Sequence, residues 1–261
     1  MRTAFITGGA GSIGRACARC LVREGWHVVL ADHDHDEAKK VAAELGDAPN
    51  VTAVELEVTD FEAVQAAVGA AAEAHGGLQG LVTAAGGGRN LDLTNGPFTT
   101  TKPSEWDAII DVHLNGVYNT CHAMVPVLAA SGGGAIVNIA SGAGIRGGPP
   151  HLRQRFASVY SAAKAGVIAL TQSIAQEAGP DGVRANCVAP GRTETRAKSY
   201  KEMMRLTAEE EAIRPGSGRL TPVGRFGRGE DMGEAVAFLM SDRAGFITGA
   251  CLDVTGGIRL H

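Results

Sequence analysis

The stretch TAFITGGAGSIGRACARCLVREGWHVVLAD, residues 3–32, decides the fold, because two apolar runs flank a glycine-rich turn and a helical pattern. The first run, TAFIT, leads straight into the glycines, and the helical pattern covers residues 13–24. The second run, HVVLA, is followed directly by Asp32, which ends the predicted strand. Apolar strands separated by helices are typical of a parallel sheet that is covered on both faces.

The same alternation continues along the chain. Helices are predicted for residues 37–45, 61–74 and 103–129 and around residue 160, and strands for residues 51–58, 80–85, 135–140 and 183–189. We see no internal repeat and no composition break. We therefore predict one α/β domain over residues 1–261, a doubly wound parallel sheet of about seven strands with helices on both faces. The irregular segment 192–229 is predicted to be a substrate loop or lid.

Composition excludes several classes of protein. The chain has 261 residues, 44% of them hydrophobic, and a formal net charge of -4. It therefore has no broad basic field, and neither nucleic acid nor a membrane surface is expected as a partner. The first residues show no signal-peptide pattern, and no run of about eighteen apolar residues follows, so we expect a cytoplasmic protein.

The five cysteines are too few for a disulfide scaffold in a chain of this length, so we expect reduced thiols. Cys17 and Cys20 share the apolar face of the first helix, and no second ligand pair is evident. This favours core thiols over a metal site. The run DHDHDE at residues 32–37 is more simply a solvated turn, so no metal is predicted.

The turn TGGAGSIGRA, residues 7–16, joins the first strand to the first helix. Glycines at such a joint let the backbone approach a pyrophosphate, whose charge then lies on the amides of the helix N-terminus. Asp32 ends the second strand, where a carboxylate can accept hydrogen bonds from both ribose hydroxyls of an adenosine and repel a 2′-phosphate. The alternative is an ordinary turn residue. Because neither position 11 nor position 33 is Lys or Arg, we predict NAD as the cofactor rather than NADP.

The stretch SVYSAAKAGV, residues 158–167, places Tyr160 and Lys164 four positions apart. In a helix this spacing puts both side chains on one face, about one turn apart. A nearby ammonium favours the phenolate and lowers the pKa of a phenol, which makes it a better base. Taken alone, a solvated surface pair is the commoner interpretation.

These motifs, in this order, resemble those of the short-chain dehydrogenase/reductase family. The cofactor turn is TGGAGSIG, the serine strand is NIAS ending at Ser141, and Tyr160 and Lys164 form the Tyr-x-x-x-Lys motif. NCVAPGRTET at 186–195 and the segments at 224–242 and 247–257 extend the resemblance over essentially the whole chain. It implies a single-domain Rossmann fold and an NAD-dependent oxidoreductase that interconverts a secondary alcohol and a ketone.

The resemblance also implies roles for single residues. Tyr160 would be the general acid/base, Lys164 would lower its pKa and bind the nicotinamide ribose, and Ser141 would hydrogen-bond the substrate oxygen. The implied cofactor-binding residues are Gly8, Gly11, Ser12, Ile13, Gly14, Asp32, Glu57, Val58, Ala85, Gly86, Tyr160, Lys164, Pro190, Gly191, Thr193 and Thr195.

The chain departs from the family pattern at four places. Ser12 replaces the middle glycine of the turn, and Glu57 replaces an aspartate. TAAG at 83–86 replaces Asn-Asn-Ala-Gly, which we expect to remove side-chain hydrogen bonds that support the fourth strand. His113 occupies the position of a catalytic asparagine, while Asn115 would face elsewhere.

We expect His113 to take over the asparagine's task, which is to link Lys164 through water to the proton supply. A structural histidine is the alternative. Protonation of His113 below about pH 6.5 would add a second cation near Lys164 and interrupt the link.

Four arginines near the expected substrate mouth could meet an anionic group of the substrate, although solvated surface arginines or subunit contacts are the simpler alternative. They are Arg153, Arg155, Arg192 and Arg196. The helix after Tyr160 carries a stripe of small residues that would suit a subunit interface: Ala162, Ala165, Gly166 and Ala169. Family members are commonly tetramers or dimers through this helix, so the resemblance implies a homotetramer or homodimer. Two other functions remain open, a non-catalytic nucleotide sensor or scaffold and an epimerase or lyase that uses bound NAD internally.

Overall fold

Seven strands form one parallel sheet in the residues that the computed structural model describes, which are 1–45, 50–87, 98–147, 157–194 and 221–258. The strands are Thr3–Thr7 (β1), His27–Asp32 (β2), Val51–Glu55 (β3), Gly80–Thr83 (β4), Gly134–Ile139 (β5), Val183–Pro190 (β6) and Cys251–Val254 (β7). Their spatial order is β3-β2-β1-β4-β5-β6-β7. The chain therefore builds outward from β1 in one direction and from β4 in the other, which confirms the predicted doubly wound sheet.

Helices cover both faces of this sheet. They are Ser12–Arg23 (α1), His35–Glu44 (α2), Phe61–His75 (α3), Pro103–Ile110 (α4), Gly116–Ala130 (α5), Gly142–Arg146 (α6), Ala157–Glu177 (α7) and Gly229–Met240 (α8). α1, α2 and α8 pack on one face, and α3, α5 and α7 pack on the other. The sheet is thus buried on both sides, as its continuous apolar strands predict.

The helix that the sequence predicts over residues 103–129 is interrupted in the structure. α4 ends at Ile110, Asp111–Asn115 form a π-helical turn, and α5 continues the helix. His113 lies within this turn and is buried. π-helical turns are rare in proteins, and those that occur are often at functional sites. The hydrophobic periodicity of residues 103–129 does not indicate this turn.

Two glycines let α8 lie directly against α1. A Cβ atom at Gly229 would stand 2.7 Å from the Ser12 carbonyl oxygen, and one at Gly233 would stand 2.8 Å from the Ala16 carbonyl oxygen. Cys17 and Cys20 are buried under this contact, which confirms them as core thiols. Among the described residues, no group of three or more His, Cys, Asp or Glu side chains could hold a metal ion.

None of the helices in the described ranges is both long enough and apolar enough to cross a bilayer.

Arg184 connects β6 to backbone carbonyl groups at and just after the end of α8. Its guanidinium donates to the carbonyl oxygens of Leu239 at 2.9 Å, Ser241 at 3.2 Å and Ile247 at 3.3 Å. Partial burial lowers the pKa of Arg184, and the charge of Asp242 opposes this shift. The helix C-terminus supplies the compensating negative potential, because its last carbonyl groups carry partial negative charge.

Replacing this guanidinium should destabilise the protein. For Arg184→Met we expect the free energy of unfolding to fall by about 2–4 kcal/mol, because three carbonyl groups lose a charged donor. Arg19→Met is the matched control, since Arg19 forms an exposed ion pair with Glu230 at 2.8 Å and such pairs are worth about 0–1 kcal/mol. Urea unfolding measures both, and equal losses would contradict the structural role of Arg184.

Candidate functional site

A cleft of about 330 Å³ lies at the carboxyl ends of β1 and β4, where the strand order reverses. Ligands bind at this point in open α/β sheets. Predicted cofactor residues that line the cleft are Gly8, Gly11, Asp32, Glu57, Val58, Ala85 and Gly86. Ala10, Glu37, Leu56 and Val112 line it as well and were not predicted. Their positions follow from how the strand ends meet, which a linear motif does not contain.

The glycine turn is shaped for close backbone approach. Gly8 has φ +66°, and a Cβ atom there would stand 2.5 Å from both the Ala84 carbonyl oxygen and the Ala85 nitrogen. A Cβ atom at Gly14 would collide with the Gly8 carbonyl oxygen. Gly11 is the N-cap of α1 and forms no side-chain cap bond. The turn therefore fits a dinucleotide, whose pyrophosphate would lie on the first amides of α1. Ser12 begins α1 regularly, and the turn is intact.

Asp32 lines the cleft and also fastens the glycine turn to β2. The residue is 6% exposed. Its Oδ2 accepts a hydrogen bond from the Ala10 amide at 2.9 Å, and its Oδ1 accepts one from the Asp34 amide at 3.0 Å. The two interpretations of Asp32, as a turn residue and as a cofactor residue, are therefore compatible.

Glu57 and Val58 also line the cleft. Glu57 Oε1 accepts hydrogen bonds from the Thr59 amide at 3.1 Å and the Thr59 hydroxyl at 2.9 Å. The Asn119 side chain on α5 donates to the Val58 carbonyl oxygen at 2.9 Å. This segment is thus positioned by α5 as well as by its own turn.

The expected loss of side-chain hydrogen bonds at β4 is wrong for the first residue of the TAAG segment, Thr83. Thr83 donates its hydroxyl to Asn138 Oδ1 at 2.8 Å. Asn138 Nδ2 in turn donates to the Thr171 hydroxyl at 2.9 Å. The first residue of the TAAG segment therefore supplies the cross-strand bond, and the network reaches α7.

Ser141, Tyr160 and Lys164 come together at the ends of β5 and α7. Ser141 is the N-cap of α6, and its hydroxyl accepts from the Ala143 amide at 3.2 Å. The Lys164 ammonium donates to the Ile139 carbonyl oxygen at 2.7 Å and lies 5.9 Å from the Tyr160 ring centroid. Burial lowers the pKa of Lys164 to about 8, partly opposed by the nearby Cys187. Lys164 is therefore still largely charged at neutral pH.

The expectation that Lys164 lowers the pKa of Tyr160 is wrong for this structure. Burial raises the pKa of Tyr160, and it is a hydrogen bond from Ser141 that acts in the opposite direction. The ammonium is engaged with a backbone carbonyl group on β5 rather than with the phenol oxygen. Desolvation of the phenolate therefore dominates.

His113 packs edge-on against Tyr160, with ring centroids 5.1 Å apart. Its Nε2 accepts from the Gly87 amide at 3.4 Å, and its buried Nδ1 has no hydrogen-bond partner among the described residues. Burial, and secondarily the charge of Lys164, lowers the pKa of His113 to about 3. The expected protonation near pH 6.5 is therefore wrong, because a buried imidazole beside a cation stays neutral. Asn115 is exposed and donates to Asp111 at 2.8 Å, so it does face elsewhere.

The segment after β6 reaches the same end of the sheet. The Gly191 amide donates to the Val254 carbonyl oxygen at 3.1 Å, and a Cβ atom at Gly191 would stand 2.8 Å from the Thr255 Cα. Thr193 is buried and donates to the Gly191 carbonyl oxygen at 3.3 Å. Pro190 ends β6, and Arg192 follows at a half-buried position. Four residues predicted for the cofactor and substrate sites lie outside the described ranges: Arg153, Arg155, Thr195 and Arg196. Residues 195–220 of the predicted lid lie outside them as well.

The chain is similar to known enzymes over nearly its whole length. A family model described as enoyl-(acyl carrier protein) reductase matches residues 8–259. The 3-oxoacyl-[acyl-carrier-protein] reductase FabG of Thermotoga maritima is 33% identical over 98% of this chain and 97% of its own. Cis-4-hydroxycyclohexanecarboxylate dehydrogenase of Sinomonas cyclohexanicum is 37% identical over 98% of this chain and 96% of its own. The crystal structure of gox2181 superposes with a TM-score of 0.86 at 33% identity, covering 98% of this chain and 95% of that one.

Gly8→Ala should weaken both the stability of the protein and dinucleotide binding in the cleft. Gly25→Ala provides a matched control. Both glycines have positive φ, +66° and +81°, but a Cβ atom at Gly25 would meet nothing within 4 Å. The backbone conformation costs about 1–2 kcal/mol in either variant. Gly8→Ala should lose about 1–3 kcal/mol more through overpacking, and its affinity for a nicotinamide dinucleotide such as NAD should fall. Urea unfolding and NAD titration measure these changes. Equal stability losses with NAD binding retained would contradict the close approach.

Proposed function

Because the chain belongs to the short-chain dehydrogenase/reductase family, we propose that it is an NAD-dependent oxidoreductase that interconverts a secondary alcohol and a ketone. The observation that supports this most is the meeting of Ser141, Tyr160 and Lys164 beside a cleft that fits a dinucleotide. A nucleotide sensor would need the cleft but not these three side chains.

In the proposed reaction, Tyr160 moves the proton. Its phenolate oxygen takes the proton of the substrate hydroxyl in oxidation, and its neutral phenol returns a proton to the ketone oxygen in reduction. Ser141 hydrogen-bonds the substrate oxygen and Tyr160, which stabilises the phenolate against the effect of burial. Lys164, anchored on Ile139, keeps a positive charge near the phenol. A bound nicotinamide supplies the hydride acceptor and donor.

We propose NAD rather than NADP because of charge at the cleft. The Asp32 carboxylate lines the end where the adenosine ribose of a dinucleotide would bind, and the Glu57 carboxylate also lines the cleft. Neither position 11 nor position 33 provides a cation for a 2′-phosphate. A carboxylate at the end of β2 hydrogen-bonds ribose hydroxyls and repels an additional phosphate.

The proposed substrates are secondary alcohols that carry an anionic group. One relative is named for 4-hydroxycyclohexanecarboxylate, a molecule that combines a ring alcohol with a carboxylate. Arg192 stands beside the Pro190 turn, and the arginines at 153, 155 and 196 are further candidates from the sequence. Hydroxy acids of this kind are therefore the first compounds to test.

We further propose a cytoplasmic homotetramer or homodimer. Family members typically form oligomers. On α7, three alanines of the small-residue stripe are exposed, which would allow a second helix to approach closely: Ala162, Ala165 and Ala169.

A substrate screen that follows NADH absorbance tests the proposal. The unmodified protein should reduce NAD with at least one hydroxy acid, and should use NADP less well. Tyr160→Phe should lose about 100- to 10,000-fold in turnover, the usual contribution of an acid/base, while NAD binding changes little. Tyr118→Phe is the control, because Tyr118 is 48% exposed on α5. Substrate conversion without a net change in NADH would indicate the epimerase or lyase alternative. NAD binding without any conversion would indicate the sensor.

The rate profile tests the role of His113. With a pKa of about 3 its ring stays neutral across the working range, so it should produce no inflection near the ordinary histidine value of about 6.5. His113→Asn should keep most activity with an unchanged profile shape, because a carboxamide can also donate and accept hydrogen bonds. His113→Ala should lose activity. If the activity of His113→Ala matches that of the unmodified enzyme at every pH, His113 has only a structural role.

A further inference from the structure

Three carboxylate side chains stand at one end of the cleft. Asp32, Asp34 and Glu37 all line it. Glu37 belongs to the first turn of α2, and its amide donates to the Asp34 side chain at 3.0 Å. The Asp32 carboxylate already accepts two backbone amides, so its position is determined by the turn it holds.

Glu37 is held differently, by a cation. Glu37 Oε1 accepts a hydrogen bond from Arg15 Nη2 at 2.9 Å. The two side chains are 29% and 11% exposed, so this ion pair is partly desolvated and less screened than a surface pair. Lys40 approaches Glu37 to 3.5 Å but is 69% exposed. The well-buried cation beside Glu37 is therefore Arg15.

Arg15 lies directly behind the wall of the cleft. The same Nη2 atom donates to the Ala10 carbonyl oxygen at 3.0 Å. Ala10 lines the cleft, and its amide donates to Asp32. A second carboxylate, Glu44, lies 3.7 Å from Arg15 Nη1, is 57% exposed, and does not belong to the cleft lining. The Arg15 guanidinium is thus hydrogen-bonded to a residue of the cleft lining, Ala10, and its charge is neutralised by Glu37.

We propose that Glu37 is a second residue that determines cofactor specificity, in addition to Asp32. Its carboxylate stands at the ribose end of the cleft and neutralises Arg15, so that a 2′-phosphate would meet negative charge there rather than the Arg15 guanidinium. Without the Glu37 carboxylate, Arg15 presents a positive charge to that end. The inference rests on the proposed function, because it assumes that a dinucleotide occupies this cleft.

Glu37 allows a cleaner test than Asp32. Replacing Asp32 removes the acceptor of the Ala10 and Asp34 amides and disturbs the glycine turn itself. Replacing Glu37 by glutamine changes one charge at nearly constant shape. Glu44→Gln is a matched control, because it removes a carboxylate that pairs with the same arginine but does not line the cleft.

The experiment measures calorimetrically the binding of 5′-AMP and of adenosine 2′,5′-bisphosphate to the full-length protein. The unmodified protein should bind 5′-AMP more tightly. Glu37→Gln should shift the ratio of the two dissociation constants toward the bisphosphate by about tenfold or more, whereas Glu44→Gln should change it by less than about twofold. Glu37→Ala, which leaves no amide to retain Arg15, should shift the ratio at least as far. Circular dichroism establishes that each variant is folded.

Three results would overturn the inference. An unchanged ratio in both Glu37 variants would show that Glu37 does not exclude the phosphate, while the preference of the unmodified protein for 5′-AMP would leave the proposed NAD specificity standing. Equal shifts of the ratio in Glu37→Gln and Glu44→Gln would show that the shift follows from the loss of one negative charge near Arg15, and not from the position of Glu37 in the cleft. A preference of the unmodified protein for the bisphosphate would overturn the proposed NAD specificity together with this inference.

Discussion

The buried side-chain amide of Asn138 connects the two halves of the site. Asn138 is fully buried, accepts from Thr83 on β4 and donates to Thr171 on α7. Cys121 on α5 also donates to its Oδ1, at 3.5 Å. A buried amide that loses a partner costs about 1–3 kcal/mol, so this arrangement favours one register of β4 against β5 and one position of α7. β4 leads into the cofactor cleft and α7 carries Tyr160, so the distance between them depends on this group.

Burial also determines the charge state of the site. Lys164 and His113 are both buried cation-forming groups, and burial lowers the pKa of each, to about 8 and about 3 respectively. Near neutral pH one is therefore charged and the other is neutral. Tyr160, between them, has a raised pKa and is protonated. Among the described residues of the site, the Lys164 ammonium thus stands near a neutral phenol, which can act as a proton donor.

The sequence predicts the sheet, the glycine turn and the Ser141, Tyr160 and Lys164 set, because strand and helix periodicity and short motifs are local properties. The bond from Thr83 to Asn138 could not be predicted, since it depends on the register between two strands 55 positions apart. The pKa of His113 could not be predicted either, because it follows from a π turn that buries the ring. The partner of Lys164 is a backbone carbonyl group, which every residue has and no motif marks.

The close contact between α1 and α8 has a consequence for biosynthesis. α1 follows directly on the cofactor turn, yet its apolar face is covered by a helix that begins only at Gly229. During translation the part of α1 that contacts Gly229 and Gly233 therefore remains uncovered until α8 has been made. The packing around α1 is therefore complete only after the segment from Gly229 onward has been made. Nascent chains that stall before α8 would present this uncovered helix to chaperones.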